Sequence, residues 1–209
     1  IMGCSELMEN GLVKAEDMPR FVSRIHSEAS RLVTLVDDII GLSQLDENAE
    51  FPKEDVDLLA LAEEEVGALA ATAKDKDIEI SVDGEEITVT GVRRLLHEIV
   101  YNLCDNALRY TEAGSSVRVT VGKEENEAVI TVSDTGIGIP PEDLDRVFER
   151  FYRTDKSRSK ETGGAGLGLS IVKHAVSYLG GRISLDSAQG IGTTFKVYLP
   201  KDPEDHSDD

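Results

Sequence analysis

Tryptophan is absent, and aromatic residues make up only 5% of the 209-residue chain. Basic residues are scarce as well: 22 Lys and Arg stand against 41 Asp and Glu, for a net charge of −19. That balance argues against a nucleic-acid partner, because neutralising phosphates needs a basic face. The only cysteines, Cys4 and Cys104, give no disulfide framework, and a reduced cytoplasmic setting is the simplest expectation. No apolar run reaches membrane-spanning length, and no signal peptide opens the chain. There is also no initiator Met before Ile1, which predicts a piece of a longer protein. What remains is an ordinary apolar content of 40%, enough for a core, in a length that allows one domain plus an extension or two small domains.

In chain order, residues 1–10 read as the end of a helix stopped near Asn10-Gly11. Pro19 suits the first turn of a second helix. That helix carries Phe21, Ile25, Leu32, Leu35, Val36, Ile39, Leu42 and Leu45 as a heptad-like stripe. A narrow stripe of this length calls for a partner helix, within a bundle or a dimer. The run DENAEFPKED reads as a linker. Beyond it, Leu58–Lys74 reads as a helix, and Asp77–Val82 with Glu86–Thr90 as a hairpin around Asp83-Gly84. A central helix follows, then strands at Ser116–Lys123 and Ala128–Ser133. A helix at Gly166–Leu179, ended by Gly180-Gly181, leads to strands at Arg182–Asp186 and Thr193–Leu199. Helices in separate blocks among paired strands predict an α+β fold, a mixed sheet covered on one face. The acidic tail 201–209 is expected to be disordered.

The central helix, Leu96–Thr111, carries the first chemical signal. Val92, Leu96, Ile99, Val100, Leu103 and Ala107 form one apolar face. Glu98, Asn102 and Asn106 stand four residues apart along its border. A carboxylate and two amide oxygens in line suit a hydrated Mg²⁺ that takes phosphate oxygens for its other ligands. A solvated face with two asparagines is the other reading.

Two glycine-rich stretches narrow that choice. Asp134-Thr-Gly136-Ile-Gly138-Ile139 closes a strand. Its glycines let backbone approach a planar ligand. Its carboxylate accepts and cannot donate, which favours adenine's amine over guanine's carbonyl. Asp-Thr-Gly also occurs in aspartic proteases, but these need two such carboxylates sharing a proton. One copy is present, so a homodimer would have to supply the second. An ordinary glycine turn is the third reading. Gly163-Gly164-Ala-Gly166-Leu167-Gly168-Leu169 then runs into a helix whose first N–H groups can bind phosphate. No strand precedes it, so a dinucleotide-binding context is missing. What precedes it is a local basic cluster, Arg150, Arg153, Lys156, Arg158 and Lys160, which an anion such as triphosphate would explain.

Taken together, Glu98-x-x-x-Asn102-x-x-x-Asn106, Asp134-x-Gly136-x-Gly138, Phe148-Glu-Arg-Phe151 and Gly164-x-Gly166-Leu-Gly168-Leu resemble the ATP-binding domain of sensor histidine kinases, in order and spacing. Phe21–Leu45 resembles the second helix of that family's dimerisation hairpin. The resemblance implies a two-layer α/β sandwich at 56–200 behind a truncated helical dimerisation region at 1–47 and a linker at 48–55. It implies ATP and Mg²⁺ as cofactors, Glu98 and Asn102 as catalytic residues, and Asn102 and Asn106 as metal ligands. Arg109, Tyr110, Asp134, Gly136, Gly138, Ile139, Phe151, Arg153, Gly164, Gly166, Leu167, Gly168, Leu169 and Thr193 would line the nucleotide. Residues 154–165 would form a lid. A response regulator and a second copy of the chain would be the partners, and the parent protein would be membrane-anchored.

The family's phospho-accepting His-Glu/Asp-x-Lys/Arg-x-Pro run is missing. His97-Glu98 is followed by Ile-Val-Tyr-Asn without the proline, and His26, His174 and His206 lack the context. The acceptor is expected upstream of Ile1. A Ser/Thr kinase of the anti-sigma-factor type and a non-catalytic ATP-binding module are the alternatives, with a protease as the remote third.

Overall fold

The computed structural model describes residues 1–46, 51–153 and 166–200. The chain divides into two compact units, Ile1–Gln44 and Leu45–Asp209. The first holds helix α1 (Met2–Glu9) and most of helix α2 (Met18–Asp46). Gly11, in the left-handed region at φ +66°, ends α1 where Asn10-Gly11 predicts a stop. Its N–H reaches the Met8 carbonyl and that of Leu12 reaches Leu7, which satisfies two carbonyls at the helix end. Along α2, Val22, Leu32, Val33, Val36 and Ile40 are exposed. The side chains of Leu35, Ile39, Leu42 and Leu45 lie outside the described ones. Among the described residues, no helix is long and apolar enough to cross a membrane.

The second unit is a mixed sheet under helices, the architecture the sequence predicts. Strand β1 (Glu54–Asp57) leads into α3 (Leu58–Asp75). The Asp57 carboxylate caps α3 by accepting from the Leu59 and Ala60 N–H groups at 2.9 and 3.1 Å, a cap of about 1 kcal/mol. Then come β2 (Glu79–Gly84), β3 (Thr88–Gly91), α4 (Arg93–Tyr110), β4 (Ser116–Glu124) and β5 (Glu127–Asp134). A short 3₁₀ turn (Pro141–Asp143), α5 (Gly168–Tyr178), β6 (Arg182–Ala188) and β7 (Gly192–Pro200) complete the order. The larger sheet runs β2-β4-β5-β7-β6, with β2–β4 parallel and the remaining pairs antiparallel.

One pairing differs from expectation. β2 and β3 are not a hairpin: β3 pairs antiparallel with β1 in a separate two-stranded sheet, with Val56 opposite Val89. Asp83-Gly84 is no tight turn either. Gly84 stays in the ladder opposite Val121, at φ +142°, and a Cβ there would stand 2.0 Å from the Val121 carbonyl oxygen. The glycine serves close backbone approach, and α4 makes the crossover that a parallel β2–β4 pair needs.

The inner sheet face presents Val117, Val119, Val121, Ala128, Ile130, Val132, Phe195, Val197 and Leu199, all buried. Against it α4 packs Leu95, Leu96, Ile99, Val100, Leu103, Cys104, Ala107 and Leu108. Each large aliphatic side chain buried there contributes about 1.5–3 kcal/mol. Cys104 is wholly buried, and that burial, with the negative charge of Glu65 and Asp105, pushes its thiol up to about 12. It is a core residue.

Candidate functional site

The apolar face of α4 fixes its rotation, and the polar stripe follows from it. Glu98, Asn102 and Asn106 are all half-buried at the rim of the core. Asn102 donates its amide N–H to the Glu98 carbonyl at 2.8 Å. Its Oδ1 is thereby turned toward the start of α5, where a Cβ on Gly168 would stand 2.8 Å from it. No side chain caps α5. An amide oxygen and an uncapped helix N-terminus of 11 residues thus face one another, the pairing that a cation bound to phosphate requires.

Asp134 ends β5 at half-burial. Its Oδ1 accepts from the Gly136 N–H at 2.8 Å. Burial raises its carboxyl above the usual range, and hydrogen bonds from the backbone of Gly136 and Thr193 pull it back. The loop after it is held on both sides. Toward α4, the Ile137 N–H donates to the Tyr110 carbonyl, and a Cβ on Gly136 would come within 2.3 Å of that oxygen. Toward β6, a Cβ on Gly138 would come within 2.1 Å of the Ala188 carbonyl. The Ile139 N–H donates to Ser187 Oγ at 2.9 Å, and Ser187 donates to the Gly192 carbonyl at 2.9 Å. With its one proton so used, Ser187 accepts from Thr193 Oγ1 at 3.0 Å. Ser187 is a residue the sequence did not mark, since a serine in an alternating strand carries no motif. Arg109 lies along α4, its Nε 2.6 Å from Asp105 Oδ2.

Phe148 packs edge-on against Phe195, with centroids 6.3 Å apart. Phe151 takes φ +64° and is 61% exposed. Its N–H donates to the Gly166 carbonyl at 2.8 Å, and a Cβ on Gly166 would come within 2.9 Å of the Phe151 carbonyl carbon. Arg153 is half-buried beside this junction in sequence. Leu167 is buried and Leu169 packs on the core, so both seat the adjoining glycines. Gly164, Lys156, Arg158, Lys160 and the expected lid lie outside the described residues.

The histidines fall elsewhere. His97 Nε2 is 2.7 Å from Glu65 Oε1, between α4 and α3. Burial raises the Glu65 carboxyl, and His97 opposes the rise. His174 Nδ1 lies 2.7 Å from the Ser170 carbonyl, so that nitrogen carries the proton and Nε2 accepts from Arg150 at 3.3 Å. His26 is exposed on α2, and His206 lies outside the described residues. Among the described residues no cluster of three or more His, Cys, Asp or Glu side chains could hold a metal. A hydrated Mg²⁺ carried by phosphate needs no such cluster, and the amide oxygen of Asn102 beside the glycine cradle fits it.

Residues 91–203 match the family described as "Histidine kinase-, DNA gyrase B-, and HSP90-like ATPase". The chain is 37% identical to the sensor-like histidine kinase SenX3 of Mycolicibacterium smegmatis, over all of its own length and 56% of the relative's. It is 34% identical to the sensor histidine kinase WalK of Bacillus subtilis, over 97% of its length and 34% of the relative's. It therefore spans about half, or less, of the curated relatives it matches. Among solved structures, full-length ShkA in complex with AMPPNP superposes with a TM-score of 0.78 at 28% identity, covering 93% of this chain and 41% of that one. The mixed sheet under helices, the glycine-rich loops and these likenesses agree: the chain belongs to the histidine kinase-, DNA gyrase B- and HSP90-like ATPase family, as the catalytic domain of a two-component sensor histidine kinase.

Proposed function

We propose that this chain binds Mg-ATP and that the protein it belongs to passes the γ-phosphoryl to a histidine and then to an aspartate of a response regulator. The meeting of Asn102 Oδ1 with the uncapped start of α5 carries this reading. Asp134 accepts from the adenine amine, while Gly136 and Gly138 let the loop that carries it seat directly on the Tyr110 and Ala188 backbone. The first N–H groups of α5 hold phosphate oxygens. Asn102 and Asn106 would hold Mg²⁺, which when bound supplies neutralising charge at those oxygens. Glu98, one turn before Asn102, would serve as the catalytic carboxylate of the site. Catalysis is chiefly positioning and charge stabilisation.

None of the four histidines of this chain carries the family's acceptor context, so the phosphoryl would pass to a histidine other than these. A phospho-accepting imidazole must be exposed on a helix with one ring nitrogen able to attack. His97 is engaged by the buried carboxylate of Glu65, and His174 by Ser170 and Arg150. The exposed apolar residues of α2 suit a helical dimerisation region at 1–47, joined through a linker at 48–55 to a catalytic domain at 56–200. A Ser/Thr kinase of the anti-sigma-factor type would have no use for that helix.

Calorimetric titration tests the nucleotide reading: ATP and ADP should bind with Mg²⁺, and GTP should bind at least tenfold more weakly. Labelled ATP tests the transfer. Acid-labile, base-stable phosphate should appear on a longer protein that includes the upstream helix and not on residues 1–209 alone. Such label on His26 or His97 of the shorter chain would overturn the assignment.

A further inference from the structure

Phe51 is the first described residue after α2 ends at Asp46, and no motif marks it. Its half-buried ring meets the Tyr178 ring edge-on, with centroids 5.4 Å apart at 68°. Its N–H donates to the Tyr178 hydroxyl at 3.2 Å. On another side the Arg94 guanidinium lies 5.1 Å from the Phe51 ring centroid. Tyr178 is the last residue of α5, and Arg94 stands in the first turn of α4. Phe51 therefore touches, at their far ends, the two helices whose other parts meet at Asn102 and Gly168.

The same guanidinium continues inward. Arg94 Nε is 3.5 Å from Glu98 Oε1, one helical turn on. A planar guanidinium can stack on a ring and pair with a carboxylate together, which an ammonium cannot do as well. Each contact is weak alone, since the Arg94 and Glu98 side chains are 50% and 29% exposed. Weak contacts in series suit adjustment, because losing the ring frees the guanidinium to leave the carboxylate. We propose that Arg94 is a positioning residue that couples the linker, through Phe51, to Glu98, so that the linker's seat sets how much of the Glu98 charge reaches the metal–phosphate end of the site. This rests on the Mg-ATP reading above.

The test is a double-mutant cycle read as the Mg²⁺ enhancement of ADP affinity, the ratio of Kd in EDTA to Kd in Mg²⁺. Arg94→Gln and Phe51→Leu should each raise the enhancement about two- to fivefold, because Glu98 loses the share of its neutralisation that Arg94 supplies. Phe51→Tyr keeps the ring and should keep the parent value. In a Glu98→Gln background, Phe51→Leu should have no further effect, and adenosine affinity should stay at the parent value throughout. Equal effects of Phe51→Leu with and without Glu98, or an equal loss of adenosine binding, would overturn the coupling while leaving the nucleotide site intact. Absence of any ADP binding by the parent chain would instead sink the nucleotide reading, and the coupling with it.

Discussion

Asn102 and Gly168 meet where α4 passes the first turn of α5, with room between them for a hydrogen atom and none for a methyl group: a Cβ at 168 would stand 2.8 Å from Asn102 Oδ1. The Asn102 amide N–H is already committed to the Glu98 carbonyl. The oxygen therefore points across the gap by default, before any ligand arrives.

Gly168→Ala should separate the site from the fold. Alanine is a good helix residue, and the obstacle is the end of one side chain, which can swing away. The melting temperature should stay within a few degrees of the parent. The displaced Asn102 should cost Mg-ADP affinity about tenfold, the worth of one good polar contact. Calorimetry beside a thermal melt decides it. Unchanged affinity would mean that Asn102 Oδ1 is not a ligand in the bound state.

Much of this arrangement was legible in the sequence because its signals are local. The 3.6-residue period of α4 fixes which face carries Glu98, Asn102 and Asn106, and each glycine of the Asp134 loop answers to a backbone neighbour that admits no Cβ. What stayed hidden depends on contacts distant along the chain. Asp83-Gly84 has the chemistry of a tight turn, and only the ladder to Val121, 37 residues on, gives Gly84 another purpose. Ser187 and Phe51 act through partners 48 and 127 residues away, and a lone serine or phenylalanine announces neither.

Gly84→Ala tests that ladder directly. The alanine Cβ would press on the Val121 backbone, which cannot rotate aside, at a φ that side chains rarely adopt. Destabilisation of about 3 kcal/mol or more is expected in denaturant titration. A glycine in a solvent-exposed tight turn would lose only about 1 kcal/mol on the same change, from its positive φ alone, so a loss of that size or smaller would contradict the parallel pairing of β2 with β4.

Thiol chemistry gives an independent check on the α4–sheet packing. Cys4 lies in the first unit and is partly accessible, whereas Cys104 is buried and its thiol is pushed up to about 12. A thiolate is the reactive form, so Cys104 should be inert in the folded protein at pH 8. A disulfide-exchange reagent should titrate one thiol in the native chain and two in denaturant. Rapid reaction of both would mean that α4 is not seated on Val119 and Ile130 as described.

Asp134 should show stability and binding moving in opposite directions. Burial, the larger influence, raises its carboxyl above the ordinary range, so the folded chain holds that proton more tightly than the unfolded one. The stabilisation this brings is fully present below the unfolded value of about 3.9 and is lost as pH rises through the higher folded value. At pH 7 the ionised group therefore costs the folded state. Asp134→Asn cannot ionise and keeps an oxygen to accept from the Gly136 N–H. Its melting temperature should exceed the parent's at pH 7, and the gap should close as pH falls below about 3.9. The amide is a weaker acceptor for an adenine amine, so ADP affinity at pH 7 should fall about ten- to hundredfold. Melts across pH 3–8 with calorimetry at pH 7 read both arms. A mutant less stable at pH 7 would show that the backbone hydrogen bonds outweigh burial, and undiminished ADP affinity would remove Asp134 from the nucleotide site.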